Sequence, residues 1–300
     1  MKDTKHKILT LAALTTIAAG VIHLTNRVIV ASSQLKEMLD FSNHNYYNWR
    51  FGKIYYTKKG KGSPLLLIHD TMPGASGYEW SRVEDQLAQE HTVYTLDLLG
   101  CGRSEKAGIT YTNFLFVQII CDFIKNVIKE KTDIIASGFS CSFVTTAAAY
   151  DKESINKIMF INPVSMISLA QTTTKKDKLF KFFIELPIFG TFIYHIIVSR
   201  ETINDFFLDK LYYNPFHVDK DVLDAYYEAA HKGGYYAKCL YSSQSAKYMN
   251  INIRHAVESI DNSIYIVEGE DEPNGAAIVE AYQKVNPAIE SATIPCSKHF

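Results

Sequence analysis

Residues 134–142 read Ile134-Ile135-Ala136-Ser137-Gly138-Phe139-Ser140-Cys141-Ser142, and the rest of the chain is read outward from them. An apolar run reaches Ala136. A helix-favouring run follows through Ala147, Ala148 and Ala149. Strand, sharp turn, helix is the context in which G-x-S-x-G marks a nucleophile elbow. The turn lifts a serine hydroxyl above the sheet and points the next backbone N–H at a reacting carbonyl. Small residues flank the serine because strand and helix backbones come too close for side chains. Gly138-Phe139-Ser140-Cys141-Ser142 fits, with Ser142 in place of the last glycine. A plainer reading is equally open: Ser140 or Ser142 caps the helix by accepting backbone N–H bonds.

Upstream of this stretch, Leu65–Ile68 and Thr92–Leu96 are short apolar runs of the kind buried parallel strands show. A helix over Tyr78–Gln89 is expected between them. A longer one over Asn113–Glu130 has Leu115, Ile119, Ile120, Phe123, Ile124, Val127 and Ile128 on one face. Aromatic and β-branched residues over 46–57 suggest a pair of strands. Downstream, Lys157–Ile161 is a further strand. The alternation then stops. Residues 164–259 read as helical and unusually aromatic, with Phe180, Phe182, Phe183, Phe189 and Phe192 in one stretch. It resumes with a strand at Ser263–Val267, a helix at Gly275–Lys284 and a strand at Glu290–Ile294. The pattern predicts an α/β fold, a mostly parallel sheet with crossover helices and one helical insert.

Composition narrows the functions. The 300 residues are 47% hydrophobic, enough for one large domain with a substantial core. A formal net charge of -1 gives no reason to expect a nucleic-acid partner. The 5 cysteines are scattered, with no C-x-x-C pair, which argues against a disulfide framework and against a zinc site. The N-terminus differs from the rest. Lys2, Lys5 and Lys7 precede an uncharged run from Ile8 to Ile22, and Val28-Ile29-Val30-Ala31 follows after Arg27. Residues 1–31 are expected to form a membrane anchor or signal segment, with contact through residues 8–31. The preceding lysines place the bulk of the chain outside the cytoplasm. A polar linker is expected over 32–45.

An activated serine needs a base and a group to orient that base. After Ser140 the chain offers Glu270-Asp271-Glu272-Pro273 behind one late strand. His299 stands behind the last. With these residues in place, the chain from Tyr46 to Phe300 resembles the α/β-hydrolase superfamily. The resemblance is carried by Leu65–Asp70, Asp97–Ser104, Gly138–Ser142, Gly269–Pro273 and Ile294–Phe300. It implies an α/β-hydrolase core over 46–163 and 260–300 and a cap over 164–259. It implies Ser140 as nucleophile, His299 as general base, and Glu272 or Asp271 as orienting acid. The oxyanion-hole N–H groups would come from Thr71 and Cys141. No metal or organic cofactor is implied. Relatives that open epoxides or remove halogens carry an aspartate at the elbow, so Ser140 argues against that chemistry.

The chain also departs from the family pattern. Asp70 stands where a glycine usually follows the histidine, and a carboxylate there opposes a developing oxyanion unless it points away or is neutralised. The chain ends one residue after His299, where members usually continue into a helix that shelters the histidine. If the sequence is a truncated product, its base sits on a frayed end. Two functions follow. One is a serine hydrolase acting on a carboxylic ester or related acyl bond of an apolar small molecule. The other is a membrane-tethered binding protein that keeps the fold with impaired chemistry.

Overall fold

The computed structural model describes residues 2–39 and 45–299. The apolar runs become one eight-stranded sheet. Its strands are β1 (Asn45–Trp49), β2 (Gly52–Lys59), β3 (Ser63–Ile68), β4 (His91–Leu96), β5 (Thr132–Ser137), β6 (Ile155–Ile161), β7 (Ile264–Gly269) and β8 (Glu290–Ile294). The spatial order is β1-β2-β4-β3-β5-β6-β7-β8. β1 and β2 form an antiparallel hairpin, β2 runs antiparallel to β4, and the remaining neighbours are parallel. The C-terminal ends of β3 and β5 to β8 therefore share one edge, where sheets of this kind hold ligands.

Twelve α-helices accompany the sheet among the described residues. α1 (Lys2–Ser33) precedes it. α2 (Glu84–Leu87), α3 (Asn113–Phe123) and α4 (Ser140–Tyr150) connect the strands from β3 to β6. Between β6 and β7 come α5 (Met166–Leu169), α6 (Lys175–Glu185), α7 (Phe189–Ile197), α8 (Arg200–Phe206), α9 (Lys220–His231), α10 (Lys238–Ser245) and α11 (Arg254–Ser259). α12 (Gly275–Val285) joins β7 to β8.

Alternation along β3 divides the core. Leu66 and Ile68 pack with Phe116, Ile120, Phe143 and Phe160 on one face. Leu65 and Leu67 meet Trp80 and Val93 on the other. That is the two-residue period of a strand buried on both sides. The segment from 164 to 259 holds its own small core of Tyr194, Ile203, Phe207, Leu211, Tyr226 and Ala230.

Two expected helices are shorter than their sequence pattern. Over 78–89 the chain makes a 3-10 turn at Gly77–Trp80 and only the single turn of α2. Glu84 turns inward and accepts hydrogen bonds from Thr57 (2.7 Å) and Thr95 (2.6 Å), so strand contacts shape the segment. The 113–130 helix gives way after Phe123 to a π turn, Ile124–Ile128, closed by Lys129 at φ 65°.

α1 is the long apolar helix that the sequence called for. Its stretch from His6 to Ser33 has a mean hydropathy of 1.9. At about 1.5 Å per residue it exceeds the roughly 30 Å of a bilayer's hydrocarbon core. Ile8, Leu9, Leu11, Leu14, Ile17 and Val21 are all exposed. The C-terminal end of α1 is docked. Asn26 is buried, and its amide donates to the Ile188 carbonyl at 3.0 Å. Beyond it Lys36 pairs with Asp224, the Met38 N–H donates to Glu228 at 2.7 Å, and Leu39 packs on Ala225 and Ala229. The first part of the expected 32–45 linker is thus packed on α9, and residues 40–44 lie outside the described ones.

Candidate active site

The loop after β3 carries His69, Asp70 and Thr71. His69 is fully buried. Its Nε2 accepts the Leu98 N–H at 3.0 Å, which leaves the ring proton on Nδ1, facing the Asp70 carbonyl. Burial lowers its pKa, so the ring stays neutral and pins this loop to the end of β4. The loop after β4 is pinned by Asp97, which accepts from Gly77 N–H (2.7 Å), Arg103 N–H (2.7 Å) and Arg103 Nε (2.8 Å). Burial pushes this carboxyl up, but the guanidinium beside it and its hydrogen bonds outweigh that and hold it at about 2.

The turn after β5 corrects the sequence register. β5 continues through Ser137, and the residue in the left-handed region is Gly138, at φ 54°. Phe139 is already helical (φ -66°, ψ -29°), and Ser140 is the first residue of α4. The tip of the turn is therefore Gly138, and Ser140 lies two residues past it. Ser140 is fully buried, and its hydroxyl donates to the His69 carbonyl at 2.6 Å. It fills the small-residue position where the helix start meets the β3 loop. Ser142 is buried too and accepts from Asn113 at 3.1 Å.

The space a side chain would take at the tip is occupied by Asp70. A Cβ built on Gly138 lands on the Asp70 carboxyl group, well inside van der Waals contact. Asp70 Oδ1 accepts the Thr71 N–H at 2.6 Å and the Phe139 N–H at 2.9 Å. Thr71 is one of the two expected oxyanion donors. The other expected donor, Cys141, does not reach Asp70; the N–H beside that of Thr71 is from Phe139, directly after the tip. The Cys141 N–H faces the Gly138 carbonyl at 3.4 Å, inside the first turn of α4. Behind Asp70 lies Glu79, which accepts the Asp70 N–H at 3.1 Å and the Ser137 hydroxyl. Burial, reinforced by the Asp70 charge, raises its carboxyl to about 8.

The loops after β7 and β8 are laced together. Glu270 N–H donates to Ile294 O at 3.0 Å, and Asp271 N–H to Ser297 O at 2.9 Å. Asn162, at the end of β6, accepts the Gly269 N–H at 2.9 Å and donates to the Lys298 carbonyl at 3.3 Å. It fixes three strand ends at once, a role that no motif announced. Of the two candidate acids, Asp271 is exposed and Glu272 is half-buried. Burial raises the Glu272 pKa, while His299 lowers it and Asp70 raises it. Glu272 is thus within electrostatic reach of both His299 and Asp70, and His299 itself is half-buried.

Between this edge and the helices of 164–259, a cavity lined by Thr71, Met72, Cys101, Tyr194, Leu240 and Tyr241 measures about 20 Å³. That holds about one water. A wider cleft of about 890 Å³ opens beside Glu272, along Asn162, Val164, Met166, Glu268 and Ile278. Among the described residues, no three His, Cys, Asp or Glu side chains converge as metal ligands.

Strand order, elbow turn and edge loops define an α/β-hydrolase fold, and the comparisons with known proteins agree. Residues 64–183 match the family model described as alpha/beta hydrolase fold. Over those residues the chain is similar to that superfamily. It is similar to the 2-hydroxy-6-oxo-6-(2'-aminophenyl)hexa-2,4-dienoic acid hydrolase of Metapseudomonas resinovorans, 28% identical over 37% of this chain and 39% of that one. It is also similar to the soluble epoxide hydrolase of Corynebacterium sp. (strain C12), 29% identical over 36% and 37%. These matches span about two fifths of the relatives' length. Among solved structures, a serine hydrolase involved in carbazole degradation superposes with a TM-score of 0.69, at 18% identity over 86% of this chain and 91% of that one. A membrane phospholipase A superposes with a TM-score of 0.66, at 16% identity over 98% and 92%. At such identities the likeness is one of fold.

Proposed function

We propose that the chain is a membrane-tethered hydrolase of small apolar molecules, with His299 as general base and Glu272 as its orienting acid, working at the Gly138 turn without a serine nucleophile. The observation that carries this is the turn itself. Its tip has no side chain, and the Ser140 hydroxyl is engaged inside the protein by the His69 carbonyl. Support for a hydrolase comes from the fold, from the similarity to hydrolases of three kinds, and from an acid and a histidine at the ends of β7 and β8. Glu272 is favoured over Asp271 because it is half-buried and the charge of His299 acts on its carboxyl. The segment 164–259 acts as a cap over the strand ends, and its aromatic lining suits an apolar substrate. α1 anchors the whole, with the bulk outside the cytoplasm.

The ester-cleaving serine reading is tested by a fluorophosphonate probe. Wild type is expected to stay unlabelled. Labelling that disappears in Ser140→Ala restores Ser140 as nucleophile and overturns the proposal. Turnover of a mixed panel of p-nitrophenyl hexanoate, 1,2-epoxyhexane and 1-bromohexane is expected to fall about 100-fold or more in His299→Gln. A second reading, a binding protein without chemistry, is favoured by one observation: both oxyanion-type N–H groups are already taken by Asp70. A well-folded wild type inert toward the whole panel supports that reading instead.

A further inference from the structure

The Asp70 carboxylate stands where an elbow side chain would stand, and its two oxygens have different surroundings. Oδ1 is held by the Thr71 and Phe139 N–H groups. Oδ2 overlaps the position of a Cβ on Gly138, and Asp70 is partly exposed. We propose that Asp70, reaching in from the β3 loop, is the nucleophile of this site, and that the substrates are apolar alkyl electrophiles: epoxides or alkyl halides. The inference rests on the hydrolase reading above.

The geometry suits both halves of such a reaction. In the first, an Oδ2 lone pair attacks a saturated carbon. The new C–O bond forms as the carbon–halogen bond breaks, and halide leaves with the electron pair. With an epoxide the ring C–O bond breaks, and the resulting alkoxide takes a proton from solvent water. Two fixed N–H groups on Oδ1 hold the carboxylate in one orientation, so no entropy is lost in aiming it. In the second half, water gives a proton to His299 and adds to Cγ of the Asp70 ester. The charge that develops falls on Oδ1, which already has two N–H donors at 2.6 and 2.9 Å. Collapse breaks the Cγ–Oδ2 side of the ester. The alcohol leaves with the original Asp70 oxygen and the proton from His299, and the carboxyl left behind releases the water's second proton to solvent, which restores the carboxylate. An acyl ester fits poorly, because its oxyanion has no vacant donors to meet. The sequence pattern argued against this chemistry because it looked for an aspartate only at the elbow. Here the carboxylate reaches the same place from another strand.

The test follows oxygen and mass on the full-length protein. With 1,2-epoxyhexane or 1-bromohexane, His299→Gln should stall after the first half and accumulate an adduct of the probe's alkyl mass on the peptide containing Asp70. A single turnover of wild type in H2(18)O should place one heavy oxygen in the Asp70 carboxyl and none in the alcohol oxygen formed by Asp70 attack. Consumption of either probe without adduct or heavy oxygen on Asp70 overturns the inference. So does His299-dependent cleavage of p-nitrophenyl hexanoate with both electrophiles untouched, which leaves the hydrolase reading standing. Inertness toward every probe overturns both.

Discussion

At Gly138 the turn's missing side chain is replaced by the carboxyl group of Asp70, and each of the two residues constrains what the other can become. Gly138→Ser alone drives a Cβ into that carboxyl at φ 54° and is expected to cost about 3 kcal/mol in chemical denaturation. Asp70→Gly with Gly138→Ser removes the collision and frees two N–H donors. The pair should recover more than about 1 kcal/mol relative to the sum of the single changes. It should also gain fluorophosphonate labelling that wild type lacks. No labelling of a folded double variant would show that the turn does not present a working serine even when rebuilt. Ser140→Ala removes one buried hydrogen bond, for about 1 kcal/mol of stability, with turnover unchanged. The register of this turn is where the sequence was ambiguous. Gly138-x-Ser140-x-Ser142 and Ala136-x-Gly138-x-Ser140 are both runs of small residues two apart. Only the end of β5, one residue later than the apolar run, chooses between them. Asp70 gave the sequence-level signal, since a carboxylate beside an oxyanion site needed an explanation. Its answer, a side chain folded into that site, depends on a contact between residues 69 positions apart.

Inner strands such as β3 and β4 were legible because they are short apolar runs buried on both faces. The segment 164–259 is a run of helices whose boundaries are set by its own core rather than by a simple period. Its surface remains apolar in places: Phe182, Phe183, Phe189 and Ile196 on α6 and α7 are exposed, and α7 packs against α1. At this scale the prediction concerns attachment. Wild type is expected to resist alkaline carbonate extraction of membranes, and a chain lacking residues 1–31 to be released by it. A deletion variant that resists extraction assigns the anchoring to some other part of the chain.

For the whole molecule, buried carboxyls set the response to pH. The Asp97 carboxyl lies at about 2, below its ordinary 3.8. A depressed acid contributes stability above its unfolded value and loses it as pH falls toward the folded one. Stability should therefore drop by roughly 2 kcal/mol between about pH 5 and pH 2 on this account. Arg103→Met leaves a buried carboxylate without its cation and should cost about 3–5 kcal/mol at neutral pH. Glu79 has the opposite sign. Its carboxyl, raised from 4.5 to about 8, contributes stability that is complete at low pH and declines as pH rises through that interval. Glu79→Gln should flatten the thermal-denaturation profile between pH 5 and 8, and an unchanged slope there rules out Glu79 as its source.

The docking of α1 has a mechanical consequence. The helix and the residues after it are fastened to the helices of 164–259, through Asn26 on the Ile188 carbonyl and Lys36 and Met38 on α9, while the sheet begins only at Asn45. With α1 held in a bilayer, the helices of 164–259 are the part of the chain attached to it through these contacts. The small cavity at Thr71 is lined from both sides, by Cys101 of the sheet's edge loops and by Tyr194 and Leu240 of the helices of 164–259. Tension on the membrane side would load the helices of 164–259 through Asn26, Lys36 and Met38.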